Sequence, residues 1–177
     1  MNNEAGHDLL DAVVAATDWS GYRCGCGRDA SHLPELLTRL LAPRGESDTD
    51  VHHEITSHVV TSEYLNESAL PATRALLAGL ADGVGWDVYA KVTQVLLYIL
   101  SCETVANAFP PVDPGYVDLC HAEARKAEWL LLRDFRSGPP VVVDDIIEIF
   151  ELLDEEEWRE RLVALRDRRD DAVRRPS

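Results

Sequence analysis

A chain of 177 residues, 46% hydrophobic and 28% charged, is long enough for one domain that buries roughly 70% of its unfolded surface, and its composition lies in the globular range, away from that of a disordered chain. The formal net charge is −15, and because Glu155 to Ser177 holds seven basic and seven acidic residues, the whole excess falls on Met1 to Asp154. Such a body repels nucleic-acid backbones and attracts basic proteins, while its longest apolar run, the six residues Val95 to Leu100, is far short of the roughly 20 that a membrane-spanning helix needs.

Taken in order, Glu4 to Thr17 carries Leu9, Leu10, Val13 and Val14 at helical spacing and predicts a capping helix. Asp18 to Ala30 contains Gly21, Gly25 and Gly27 and reads as a loop anchored by Trp19 and Tyr22. Ser31 is the expected N-cap of a helix with Pro34 in its first turn, ended by Pro43-Arg44-Gly45. Asp48 or Thr49 caps the next, which runs to about Ser62 with Val51, Ile55, Val59 and Val60 inward. Tyr64 to Leu70 is an expected loop. Pro71 then opens a helix that stops at Asp82-Gly83-Val84-Gly85. Asp87 to about Ala106, apolar on most sides through Val88, Val92, Val95, Leu96 and Ile99, is the expected central helix.

Phe109 to Pro114 is a rigid extended connector. A long helix from about Gly115 to Arg136 follows, with Leu119, Cys120, Ala124, Ala127, Leu131 and Phe135 three or four apart. Val141-Val142-Val143 has strand propensity but no partner strand, so Asp144 to Leu153 is assigned helical. Asp154-Glu155-Glu156-Glu157 reads as a capping box before a last helix to about Val173, with charge pairs such as Glu155–Arg159, Glu157–Arg161, Arg166–Asp170 and Asp170–Arg174 along its face.

Within this order lies an internal similarity. Shifting Leu33-Pro34 by 37 residues places it on Leu70-Pro71, Val51 on Val88, Ile55 on Val92 and Val59 on Leu96. A period of that size belongs to stacked helical hairpins.

Among residues with chemical potential, Cys24-Gly25-Cys26 followed by His32 is the most suggestive. Two thiolates with one spacer fall below the usual zinc spacing, and a closed tetrahedral site needs a fourth ligand, for which His52, His53 and His58 are the available supply. The favoured reading is a glycine-rich loop with two incidental thiols, so neither a metal ligand nor a cofactor is assigned. His53 and His58 are five apart and do not share a helix face; surface histidines are expected. Cys102 and Cys120 are expected in the core, and Cys120-His121, as neighbours, diverge by about 100° on a helix. No catalytic residue is assigned. Glu63, Glu67, Asp82 and Asp87 are the candidate partner-binding residues, at loop ends of the repeated pairs. Acidic Glu4, Asp8 and Asp11 in place of a basic leader, with four cysteines in no framework spacing, lead to the expectation of a cytoplasmic protein with free thiols.

The passages Leu33-Pro34-Glu35-Leu36-Leu37 and Leu70-Pro71-Ala72-Thr73, with Leu76-Leu77 after the second, resemble a group of bacterial HEAT-like repeat proteins over about Leu33 to Cys102. The resemblance implies a right-handed α-α superhelix, and some such relatives look like immunity proteins that bind and block a toxin. The expectation is therefore a single all-α domain over residues 1–177 with seven to eight helices: a capping helix (4–17), repeat pairs (about 31–62 and 71–106) and C-terminal helices (about 115–173). The expected function is non-enzymatic binding of a protein partner, a basic one, in an immunity or regulatory role; the competing reading is a metal-dependent enzyme or sensor built on Cys24, Cys26 and the nearby histidines.

Overall fold

The computed structural model describes residues 8–42, 50–62, 64–102 and 115–174, with side chains through residue 169. Its described elements are the helices α1 (Asp8–Ala16), α2 (Leu33–Leu41), α3 (Val51–Val59), α4 (Ala69–Asp82), α5 (Trp86–Leu100), α6 (Gly115–Lys126), α7 (Glu128–Phe135), α8 (Pro140–Leu152) and α9 (Glu156–Arg174). A 3-10 turn lies at Trp19–Gly21, and β1 (Val60–Thr61) pairs antiparallel with β2 (Tyr64–Leu65), Val60 opposite Leu65. The chain is all-α, with this two-stranded hairpin as its one named sheet among the described residues. No described helix is long and apolar enough to cross a membrane.

Helix α5 holds the centre. Val92, Val95 and Ile99 are fully buried and Leu96 almost so, because their three- and four-residue spacing sets them on one stripe of the helix that faces the core, while Tyr98, off that stripe, is exposed. It packs against α8, α3, α4, α6 and α2. Helix α2 also lies on α3 and α4, and α4 on α5. The α2–α4 approach requires Gly79, since a Cβ there would stand 2.5 Å from Leu41 Cδ1. Helix α1 lies along α4 and is capped from it: the Asp82 carboxylate accepts the backbone N–H of Leu9 at 3.0 Å and of Leu10 at 2.9 Å, satisfying donors that a helix start leaves without intrahelical partners. Trp19 anchors the following loop as expected, buried and donating its indole N–H to the Val14 carbonyl at 3.1 Å. Cys102 and Cys120 lie in the core.

Several boundaries depart from the sequence reading. The helix expected to reach Ser62 ends at Val59, and the chain turns into the β1–β2 hairpin through Ser62, whose φ is +50°; the expected loop at Tyr64 thus begins as a strand. The long helix expected over 115–136 breaks at Ala127, where i→i+3 hydrogen bonds (Ala127 N–H to Ala124, Leu130 N–H to Ala127) replace the α pattern. The break re-aims the apolar stripe so that Leu130 and Leu131 both face inward. Helix α8 begins at Pro140, four residues earlier than expected, because Val142 and Val143 join Ile146, Ile147, Ile149 and Phe150 on the buried face against α5; burial overrides the β preference of the valine run. Helix α2 starts at Leu33 without a side-chain cap from Ser31. Of the tail pairs, Arg161 bonds Glu157, while Arg159 meets Glu151 and Glu156, and Arg166 meets Asp144 and Asp167. The side chain of Asp170, the expected caps Asp48 and Thr49, and the proline connector lie outside the described residues.

Because Leu96 sits where α5 meets its neighbours, Leu96→Ala is expected to cost about 2–5 kcal/mol, the range for emptying a buried leucine site. Chemical denaturation measures it, and a loss under about 1 kcal/mol would remove α5 from the centre of the core.

Candidate metal centre

Between the 3-10 turn and α2 the chain doubles back on itself. Ala30 donates its N–H to the Tyr22 carbonyl at 3.0 Å, Cys24 to Arg28 at 2.9 Å, and Gly27 to Cys24 at 3.0 Å, with Arg23 and Asp29 bridged antiparallel. This small loop, with Cys24 and Cys26 in its tip, lies against the end of α3 and the β1–β2 hairpin. Gly25 donates its N–H to the His58 carbonyl at 2.8 Å. A Cβ at Gly25 would stand 2.5 Å from Thr61 Oγ1, 2.8 Å from Asn66 Nδ2 and 2.9 Å from the His58 carbonyl oxygen, the first two held by their mutual hydrogen bond and the third by the backbone. Only glycine fits that seat. The seam is closed on its other side by Ser68, which donates its N–H to the Arg23 carbonyl at 3.1 Å and its hydroxyl to the His58 carbonyl at 3.2 Å, and by Arg23, which meets the Glu67 carboxylate through its guanidinium at 2.9 Å and its own N–H at 2.9 Å.

The seam gathers four potential ligands. Cys24, Cys26, His32 and His58 place one donor atom each such that all four lie within 4.8 Å of one another. His32 Nε2 is 3.3 Å from His58 Nδ1, and Cys24 Sγ is 3.2 Å from His58 Nδ1 and 3.6 Å from His32 Nε2. The edges of a zinc tetrahedron built from bonds of about 2.3 Å to sulfur and about 2.05 Å to nitrogen are about 3.3 Å between nitrogens and about 3.6 Å between sulfur and nitrogen. The three spacings among Cys24, His32 and His58 match those edges within about 0.4 Å, and the Cys26 sulfur lies within 4.8 Å of the other three donors. The two imidazoles meet edge to face, with centroids 4.4 Å apart and planes at 65°.

Electrostatics prepare the donors unequally. Burial pushes the Cys24 thiol up to about 11, so without a cation it holds its proton, and a bound metal would have to displace it. Hydrogen bonding to the Arg28 backbone lowers the pKa of Cys26, which is exposed. Burial, and then the neighbouring His32, lower the pKa of His58, which leaves that ring neutral near pH 7 with a lone pair to offer.

The expectation that Cys24 and Cys26 are incidental loop thiols assigned no metal ligand; the structure instead draws both into one donor cluster with His32. The fourth donor is His58, from the last turn of α3. His52 and His53 stack on each other instead, with centroids 3.9 Å apart, and His52 is buried rather than on the surface. Of the acidic residues expected to meet a partner, Glu67 engages Arg23 and Asp82 caps α1, while Asp87 is exposed in the first turn of α5; Glu63 lies outside the described residues. Gly25, Ser68 and the Arg23–Glu67 contact, which set the cluster's geometry, leave no signature in sequence spacing. Comparison with known proteins returned no matching family model, no matching curated protein and no matching solved structure.

In protein treated with a chelator at neutral pH, Cys26 is expected to be alkylated at least about tenfold faster than Cys24, Cys102 and Cys120, because it is the exposed thiol with the lowered pKa. Mass-spectrometric mapping after brief iodoacetamide treatment measures this, and equal rates would contradict the arrangement of the loop.

Proposed function

We propose that this chain is a zinc-stapled helical binding module, in which Cys24, Cys26, His32 and His58 hold one structural Zn²⁺. The observation that carries the reading is the four-donor cluster, in which the Cys24, His32 and His58 spacings fit tetrahedral edges and Cys26 brings a second sulfur within 4.8 Å, an S2N2 set that suits zinc. Four protein ligands complete a tetrahedron and leave no position for water or substrate, which favours a structural over a catalytic role. Bound there, the cation would tie the 22–32 loop to the end of α3 and, through Ser68 and Glu67, to the start of α4.

The expected test is direct. Protein prepared without a histidine tag should carry close to one zinc per chain, measured by elemental analysis. Removing it should lower Tm by about 5–10 °C, because a ligand present at about 100 times its Kd stabilises by about 2.7 kcal/mol and each kcal/mol moves Tm by about 2–4 °C at this size. Cys24→Ser and His58→Ala should abolish stoichiometric binding, and Gly25→Ala should weaken it about 10- to 100-fold as an outer-shell change. Metal-free protein with unchanged Tm in the presence of added zinc would end this reading.

The role as a binding module rests on a second observation, the net charge of −15 carried by Met1 to Asp154. We infer a basic protein partner, in an immunity or regulatory role, for a HEAT-like stack in which the α2–α3 and α4–α5 pairs would form successive layers. Their mutual packing and the 37-residue sequence shift support that arrangement. A field of this sign accelerates encounter with a basic partner and is screened by salt. For a partner recovered by pull-down, the association rate is expected to fall steeply between about 0.1 M and 1 M salt, with dissociation changing much less; a flat dependence would leave the charge as a solubility device.

A further inference from the structure

The four donors of the metal cluster are unequally shielded. Cys24 is only 5% exposed, His32 and His58 are half-buried, and Cys26 is exposed to solvent. The cause is the seating of Gly25: its N–H on the His58 carbonyl and its crowding by Thr61 and Asn66 pin the peptide between the thiols inward, so the next side chain is left at the surface. One residue separates the two cysteines, and their sulfurs lie within 4.8 Å. Two virtual bonds of about 3.8 Å place such Cα atoms about 5–7 Å apart, overlapping the range of about 4.4–6.8 Å that a disulfide bridges.

We propose that Cys26 is a site of oxidative modification, through which hydroperoxides expel the metal by closing a Cys24–Cys26 disulfide. This rests on the zinc reading above. The Cys26 thiolate attacks one peroxide oxygen, the O–O bond breaks, and hydroxide (or alkoxide) leaves, giving a sulfenic acid that no longer donates to the metal. The Cys24 thiolate then attacks the sulfenic sulfur, forming the S–S bond and releasing a second hydroxide. Two thiolates and one hydrogen peroxide, with two protons taken from water, become one disulfide and two water molecules; the zinc departs as the aqueous ion and both imidazoles are freed. Cys102 and Cys120 are buried in the core and stand apart from this chemistry. The oxidised loop keeps its Gly25 seat but loses the metal bond to His58, so the 22–32 segment is untied from the end of α3. Reduction by a dithiol restores the ligand pair.

The experiment uses full-length protein whose zinc content has been measured first. Hydrogen peroxide is added beside a chromogenic zinc chelator, with intact mass and peptide maps followed in parallel. The expected result is zinc release in step with a loss of about 2 mass units per chain, mapped to a Cys24–Cys26 bridge, and recovery on adding dithiothreitol and zinc. Zinc bound to Cys26→Ser should be released by peroxide at least about tenfold more slowly than from the parent protein; should that variant fail to hold zinc, the peptide map of the parent protein decides alone. Zinc retained at peroxide levels that oxidise free cysteine, or a bridge mapped to another pair, overturns the proposal while leaving the zinc reading standing. A parent protein that neither carries nor takes up zinc overturns both, and shows it before any peroxide is added.

Discussion

The hydrogen bond from the Gly25 N–H to the His58 carbonyl is the contact on which the rest of the site depends. It lies between two thiols in sequence and ends on the backbone of a third donor, so one bond sets the position of three of the four potential ligands. Its geometry is enforced by the absence of a side chain at Gly25 and by the shared use of the His58 carbonyl, which also accepts the Ser68 hydroxyl. A backbone hydrogen bond is worth only about 0.5–1.5 kcal/mol net. Its value here is positional, since metal affinity is sensitive to how the ligating side chains are held.

The site and the core are stabilised by different means. Helix α5 and its neighbours bury a continuous apolar cluster, from Leu10 near one end to Leu162 near the other, and need no cation to account for their packing. The segment from Trp19 to His32 contributes few large side chains to that cluster, chiefly Trp19, and spends most of its length in a small loop. A segment with so little apolar burial orders weakly by hydrophobic means, which is the circumstance in which a metal or other cross-link adds most. A zinc ion bound as proposed would fasten this peripheral loop to the helical body.

How much of this was legible in the sequence varies by element. The strong stripes were readable: Leu36, Leu37, Leu40 and Leu41 in α2, and Val92, Val95, Leu96 and Ile99 in α5, all lie inside as their spacing requires. The break at Ala127 was not, because the spacing of Cys120, Ala124, Leu131 and Phe135 fits one straight helix equally well. Nor was the hairpin, whose strands of two residues each are too short to show alternation. At the candidate metal centre the residue types were all visible as candidates, and the short Cys24–Cys26 spacing argued against them. What gathers the four donors is tertiary: His58 is brought to His32 across 26 residues by the packing of α2 on α3, and the two thiols join them because Gly25 can sit directly on another backbone.

Whether the four side chains share one zinc ion is read from X-ray absorption at the zinc edge of the purified protein. The expected result is a four-coordinate shell with two sulfur scatterers at about 2.3 Å and two imidazole nitrogens at about 2.0–2.1 Å. A shell of oxygen and nitrogen alone, or zinc bound without any sulfur from Cys24 and Cys26, would contradict it.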